Sequence, residues 1–132
     1  PPHAIVRRIA VDADVLLAVL GPPMPTKAVL TDAAKMRTIA DAGRRCVQEF
    51  AKAPSLIELF RLGKQFALET GLAAGKVKDA IEAAAPYGQC SMAMLGNAVF
   101  AVGQVEPLEA LFRSLGAQRY RCRVDAKGAR LL

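Results

Sequence analysis

Two apolar runs near the beginning of the chain predict a pair of β-strands. Residues 5–11 and 15–20 are rich in Val, Ile and Leu, and a polar Asp-Ala-Asp segment at 12–14 separates them. A short polar break between two such runs is typical of a hairpin turn. Residues 21–27 contain three prolines, which lack an N–H donor and fix φ, so this segment is predicted to be a loop.

Apolar residues then recur at helical spacing and predict three helices. The first is expected over 31–53, with the threonine at its start as N-cap. Residues 55–58 have the pattern of a capping box and begin a second helix, which Gly71 ends. An Ala-rich segment at 77–85 predicts the third helix.

The remaining segments complete an alternating order of elements. We expect a loop over 87–96, a buried strand over 97–102, a helix over 107–116 and an amphipathic strand over 119–124. The order β-β-α-α-α-β-α-β predicts an α+β fold. In this ferredoxin-like arrangement, a mixed or antiparallel sheet of about four strands has helices packed on one face, and residues 1–132 form a single domain.

Composition excludes several protein classes. Hydrophobic residues make up 53% of the 132 residues and charged residues 23%, so the composition is not that of a disordered chain. No apolar run is long enough to span a bilayer, and no signal-peptide pattern is present, so we expect a cytoplasmic protein with no membrane partner. Three widely spaced cysteines, Cys46, Cys90 and Cys122, fit neither a disulfide framework nor a metal knuckle.

The net charge of +6 raises the question of nucleic-acid binding. The basic residues are scattered, except for Arg119, Arg121 and Arg123, which share one face of the predicted last strand. Charged edge strands also resist aggregation, and few aromatic residues are available to stack on bases. We therefore favour a solvated sheet edge and expect no nucleic-acid partner.

Two segments carry residues suited to ligand binding. Residues 87–96 combine Gly88, Gln89, Ser91 and Gly96, and such a set can cradle an anion through backbone amides and a hydroxyl. On base rates, a plain connection with its methionines in the core is the more frequent structure. Thr26-Lys27 lies in the proline-rich loop, where the two side chains contact either a ligand or solvent.

The run GQCSMAMLGNAVFAV resembles the third motif of the GHMP kinases, a Ser/Gly-rich loop before a buried strand. It is most similar to the form of that motif found in archaeal pantoate kinases. Three further stretches, GPPMPTKAVLTD, KQFALETGL and KGARLL, fit the same subfamily in the same order and bring the resemblance to most of the chain.

The resemblance implies transfer of a phosphoryl group from ATP, with Mg²⁺, to the hydroxyl of the small molecule pantoate, which yields 4-phosphopantoate for coenzyme A synthesis. It implies that Gly88, Gln89, Ser91 and Gly96 line a cleft that faces the nucleotide. It also implies that Thr26 and Lys27 lie near the acceptor substrate. Such chemistry depends mainly on positioning and charge stabilisation.

The ATP-binding signature of that superfamily, a Pro-x-x-x-Gly-Leu-Gly-Ser-Ser type loop, does not occur in these residues, nor does a clear carboxylate site for Mg²⁺. We therefore expect this chain to be the C-terminal half of the kinase. Its partner is then an N-terminal half that holds most of the ATP and Mg²⁺ contacts and the catalytic residues. The 132 residues alone are expected to be inactive, and a homodimer is one option that the sequence leaves open.

Other chemistry has weaker support. His3 is the only histidine and lies at the terminus, and Asp12 and Asp14 are more typical of a turn than of a catalytic pair. Lys35 lies off the apolar stripe of the first helix, where a solvated position is expected. Two alternatives stay open: a GHMP kinase for another small hydroxy substrate, and a non-catalytic regulatory domain that binds a small metabolite.

Overall fold

The computed structural model describes residues 6–131. Within them the chain forms four strands and five helices. In chain order these are β1 (Asp14–Val19), α1 (Thr26–Leu30), α2 (Ala33–Lys52), α3 (Leu56–Glu69), α4 (Gly75–Ala84), β2 (Gly88–Ala93), β3 (Ala98–Gly103), α5 (Val105–Ser114) and β4 (Gln118–Arg123).

The four strands form one open antiparallel sheet in the order β2-β3-β1-β4. Because β3 lies between β1 and β2, those two strands run parallel without touching, and α1 to α4 connect them. In the same way α5 connects β3 to β4, with β1 between them. This split β-α-β topology is ferredoxin-like, and it confirms the predicted α+β fold class.

One face of the sheet forms the main core with α4 and α5. Alternate residues of β1 and β3, among them Leu16, Ala18 and Val99, pack there against α4 and α5, whose Phe112 is fully buried. Burial of one such large side chain contributes about 1.5 to 3 kcal/mol. We call this side of the sheet the core face.

Helix α3 packs along the edge strand β2 and reaches the opposite face of the sheet. The rings of Phe60 and Phe100 are tilted, with their centroids 4.8 Å apart. A Cβ atom added to Gly63 would lie 3.1 Å from the Ser91 hydroxyl, so α3 approaches β2 closely at this point. Helix α2 packs on α3, and ion pairs such as Arg61 to Glu49 link the two helices.

The helix boundaries follow local capping chemistry. The Ser55 hydroxyl accepts a hydrogen bond from the Glu58 N–H at 3.1 Å, as a capping box requires, although the Glu58 carboxylate binds Arg61 instead of returning to the cap. Gly71 ends α3 with a φ of 71°, which confirms its predicted role. The predicted N-cap of α2 was one residue early, because Asp32 accepts bonds from two first-turn amides.

Two predictions near the start of the chain are wrong. No strand forms over 6–11, and Ile5 lies outside the described residues. Strand β1 has β3 on one side and β4 on the other, so it has no free edge for a preceding hairpin partner. The proline-rich loop is shorter than predicted, because Pro25 takes the N-cap position and α1 begins at Thr26. None of the helices within 6–131 is long and apolar enough to cross a bilayer.

Candidate functional site

The segment 87–96, predicted to be a loop, consists mostly of a strand. Residues 88–93 form β2, which pairs with β3 along its whole length. Cys90 and Met92 point into the core, while Ser91 between them points to the opposite face. The loop prediction is therefore wrong for residues 88–93, and within 87–96 only Tyr87 and residues 94–96 lie outside the strand.

Ser91 does not face a surface cleft. It is 2% exposed, and its hydroxyl lies against α3 at Gly63. Burial beneath a helix prevents the hydroxyl from reaching a phosphate group, so the sequence-based expectation of a ligand-facing serine is not supported. The neighbouring Cys90 is buried on the other face of the sheet, in the core, where desolvation raises the pKa of its thiol to about 12.

Gly88 and Gln89 lie at the far end of β2 from Gly96. A six-residue strand is about 20 Å long, so these residues cannot bind one small anion together with Gly96. Gly88 has a structural explanation, because a side chain there would collide with the Val102 carbonyl of β3. The four residues expected to line one nucleotide-facing cleft are therefore not together. Gly88 and Gln89 lie at one end of β2, Ser91 is buried in its middle, and Gly96 lies in the turn beyond its other end.

A cleft of about 440 Å³ opens at the other end of the sheet. The parallel strands β1 and β2 both end there, and α4 begins there. The cleft is lined by the segment after β1, the start of α2, the junction between α3 and α4, and the β2–β3 turn. These parts contribute, among others, Gly21, Pro22, Lys35, Ile39, Thr70, Lys76 and Asn97.

Asn97 holds the two loops of the cleft together. Its backbone carbonyl accepts a hydrogen bond from the Leu20 N–H at 2.7 Å, and its side-chain amide donates to the Pro22 carbonyl at 2.7 Å. The proline-rich segment is therefore fixed to the β2–β3 turn by both the main chain and the side chain of one residue. Asn97 is the first residue of the strand predicted from the sequence, and its role as a latch was missed.

The cleft combines positive charge with an apolar wall. Its charged lining residues are Lys35 and Lys76, and neither forms an ion pair with the carboxylates of residues 6–131. Asp79 flanks a smaller neighbouring cavity with Lys76 but makes no salt bridge with it. Aliphatic side chains supply the rest of the wall, and they include Leu20, Val29, Ile39, Leu72 and Val77.

Helix α4 adds to this positive character. It starts at the cleft with Ala74 as its N-cap, and no side chain accepts a hydrogen bond from its first amides. The N-terminus of a helix carries a partial positive charge. Together with the two lysines, it makes the cleft chemically suited to a small molecule that has an anionic group and an aliphatic body.

Thr26 and Lys27, which the sequence assigned to the acceptor site, lie beside the cleft. Both are exposed at the start of α1, and residues on either side of them, Met24 and Val29, line the cleft. Gly96 lies in the turn next to Asn97, where an added Cβ would meet only the Ala93 carbonyl, at 4.0 Å. These three residues stay candidates for ligand contact.

Within residues 6–131, no group of three or more His, Cys, Asp or Glu side chains is arranged to hold a metal ion.

Comparison with known proteins finds similarity to small-molecule kinases. No family model matches it. It is 32% identical over 106 residues to the pantoate kinase of Methanocaldococcus jannaschii, a match that takes in 79% of this chain and 39% of the relative. The chain thus spans about two fifths of the length of this relative.

Two solved structures share its fold. A phosphotransferase related to the CoA biosynthesis pathway superposes with a TM-score of 0.75 at 21% identity, covering 88% of this chain and 39% of that one. A mevalonate kinase superposes with a TM-score of 0.60 at 14% identity, covering 84% of this chain and 40% of that one.

Proposed function

We propose that this chain belongs to the GHMP-type kinases and that it forms the acceptor-binding part of an enzyme that phosphorylates pantoate with ATP. The relative from M. jannaschii supports the choice of acceptor. The mevalonate kinase fold shows that the same architecture also occurs in a kinase for another hydroxy acid.

The cleft with two unpaired lysines is the observation that carries this proposal. Pantoate has a carboxylate, hydroxyl groups and a compact aliphatic body with two methyl groups. Lys76 and Lys35 offer cations for the carboxylate, and Leu20, Ile39 and Val77 offer an apolar surface for the methyl groups. Thr26 and Lys27 are proposed to contact the acceptor from the rim of the cleft.

ATP and Mg²⁺ do not fit the described residues on their own. Residues 6–131 lack a cluster of metal-ligating side chains, and the segment expected to face the nucleotide is mostly a paired strand. We therefore assign the nucleotide and the metal to the three fifths of the relatives' length that this chain does not cover. From this chain we propose only that Gly96 lies close to the transferred phosphoryl group.

The residues of this chain then act by binding and orientation. The lysines hold the acceptor carboxylate, and the Asn97 latch keeps the proline-rich segment in place at the wall of the cleft. The apolar wall excludes water from the reacting hydroxyl, which favours transfer to the acceptor over hydrolysis.

Steady-state kinetics of the complete polypeptide that carries this chain test the proposal. We expect Lys76→Met to raise the KM for pantoate by about tenfold or more, because it removes a charge-assisted hydrogen bond to the substrate carboxylate. Lys52→Met, an exposed lysine at the end of α2 outside the cleft, is the matched control and should leave KM unchanged. Mevalonate and other hydroxy acids, supplied in the same assay, determine the acceptor.

A regulatory metabolite-binding domain is the second candidate. It is favoured by the lining of the cleft, because two lysines beside an aliphatic wall suit the binding of a small anionic metabolite whether or not a reaction follows. Saturable binding of a hydroxy acid, combined with no phosphoryl transfer by a folded complete polypeptide in the presence of ATP and Mg²⁺, would support it and count against the kinase.

A further inference from the structure

The sheet is apolar on both faces, although helices cover only part of the second one. Strand β1 reads Asp-Val-Leu-Leu-Ala-Val and β3 reads Ala-Val-Phe-Ala-Val-Gly. Strands with one solvated face normally alternate apolar and polar residues, whereas continuous apolar runs are typical of strands buried on both faces. The composition of these two strands therefore predicts a cover on each side.

The register identifies the side chains on the second face. They lie opposite one another on β1, β3 and β4, and we call this surface the outer face: Val15, Leu17, Val19, Ala98, Phe100, Val102, Tyr120 and Cys122, with the polar Gln118 at its corner beside Val19. None of them is charged.

Only one edge of this surface is covered by a helix. Helix α3 lies over β2 and reaches Phe100 through Phe60, while α5 contacts β1 and β4 from the core face. Tyr120 on the outer face is 47% exposed, whereas Leu16 on the core face is 3% exposed. Val15, Leu17 and Val19 are half-buried rather than buried.

We propose that the outer face is the docking surface for the remaining lobe of the complete kinase. This inference rests on the proposed function, because that function requires a second lobe to hold ATP. The relatives are long enough to contain such a lobe, since this chain covers only 39% of the pantoate kinase and 39 to 40% of the two kinase-type structures.

The size of the outer face favours a lobe of the same polypeptide over a second copy of this chain. Three neighbouring strands of six residues give a flat area of roughly 300 Å². A stable dimer of separate chains buries about 800 Å² on each partner. A covalently linked lobe needs less area, because the linker holds it at a high effective concentration.

Cys122 offers a direct probe of the outer face. Its thiol is exposed, while Cys90 is buried and Cys46 is half-buried beside the Leu62 carbonyl. We expect maleimide to label Cys122 readily in the 132-residue chain and about tenfold or more slowly in the complete polypeptide, measured for each cysteine by peptide mass spectrometry. Protection of Cys90 in both samples reports that the domain is folded.

A pair of matched variants identifies the covering surface. Tyr120→Glu introduces a charge on the outer face and should restore fast labelling of Cys122 in the complete polypeptide. Tyr87→Glu is the control, because Tyr87 is also exposed and aromatic but precedes β2 outside the outer face. It should leave the protection of Cys122 in place.

Three results would overturn the docking proposal. The first is equally fast labelling of Cys122 in both proteins. The second is protection of Cys122 in the 132-residue chain that increases with protein concentration, together with sedimentation of that chain as a dimer. This result would assign the outer face to a second copy. The third is a gene that encodes these 132 residues alone.

Phosphorylation of pantoate by the complete polypeptide is assayed separately from the labelling of Cys122. Protection of Cys122 without phosphorylation rejects only the proposed function, and phosphorylation without protection rejects only the docking surface.

Discussion

Two basic regions of this molecule have opposite appearances in sequence and in structure. The arginines of β4 alternate along one strand and are conspicuous in the sequence. In the fold, however, Arg121 donates to the Asp14 carboxylate at 2.9 Å and Arg123 to the Asp12 carboxylate at 2.6 Å. Two of the three arginines in the stripe are therefore neutralised by aspartates at or just before the start of β1, while Arg119 donates to the Ala117 carbonyl instead.

The lysines of the cleft show the reverse. Lys35 and Lys76 are 41 positions apart in the sequence and belong to different helices, but the fold brings both to one cavity without a paired carboxylate. Unpaired charge inside a concave surface attracts ligands more effectively than a denser group of charges with internal partners. The comparison favours the cleft over the arginine stripe as the proposed anion-binding region.

The strongest test of this comparison removes both cleft lysines. We expect Lys35→Met combined with Lys76→Met to weaken the binding of pantoate to the 132-residue chain by about a hundredfold or more, because two charge-assisted contacts are lost. Calorimetric titration measures the affinity. Replacement of Arg121 and Arg123 by methionine serves as the comparison, and an equal loss of affinity there would assign the anion site to β4 instead.

A smaller effect is expected at the latch. Asn97→Ala removes the hydrogen bond to the Pro22 carbonyl and frees the proline-rich segment. We expect a loss of about 1 kcal/mol in the free energy of unfolding, measured in urea, and a weakening of pantoate binding that is smaller than for the double lysine variant. Asn97→Asp is the informative control, since it keeps the shape of the side chain, removes the donor and adds a negative charge to the cleft. An unchanged affinity in both variants would show that the latch does not shape the site.

Much of the fold was predictable because most of its helices and strands have a clear hydrophobic periodicity in the sequence. Residues 97–102 and 119–124 were predicted as strands from their alternation and apolar character, and both are confirmed with a shift of one residue. Strand β2 was missed because Gly88, Gln89 and Ser91 are poor strand formers. Its conformation depends on pairing with β3 and on the close approach of α3, neither of which is visible in a local pattern.

The candidate site was predictable only in part. The resemblance implied that Thr26 and Lys27 lie near the acceptor substrate, which stays a prediction, and in the fold they lie next to residues that line the cleft. Lys35 was interpreted as part of a solvated helix face because its neighbours in sequence give no sign of a cavity. Lys76 and Asn97 come from segments that meet only when β1 and β2 end at the same edge of the sheet, so sequence spacing alone could not bring them together.

The arginines of β4 should bind anions once their carboxylate partners are removed. Asp12→Asn combined with Asp14→Asn removes both carboxylate partners and leaves the guanidinium groups of β4 unpaired. We expect this variant to be retained on a heparin column at low salt and to be released as salt rises, because exposed cations bind polyanions through screened charge interactions. The unmodified chain should be retained less. Equal retention of the two proteins would mean that the aspartates do not neutralise the stripe.

The smallest effect is a dependence of stability on pH. The hydrogen bond from Arg121 holds the pKa of Asp14 below its ordinary value, so the folded protein releases that proton more readily than the unfolded chain. Asp14 therefore stabilises the fold above its ordinary pKa of about 4, and this contribution is lost as pH falls through the lowered pKa. We expect the difference in free energy of unfolding between the unmodified chain and Asp14→Asn to be small at neutral pH, since both partners are exposed, and to vanish in acid. Urea denaturation at a series of pH values measures it.

Replacement of the cleft lysines is the control for this prediction. It should give no such acid-dependent difference in the free energy of unfolding, because the lysines have no carboxylate partner to protonate. A matching pH dependence in the lysine variants would contradict the distinction between the two basic regions.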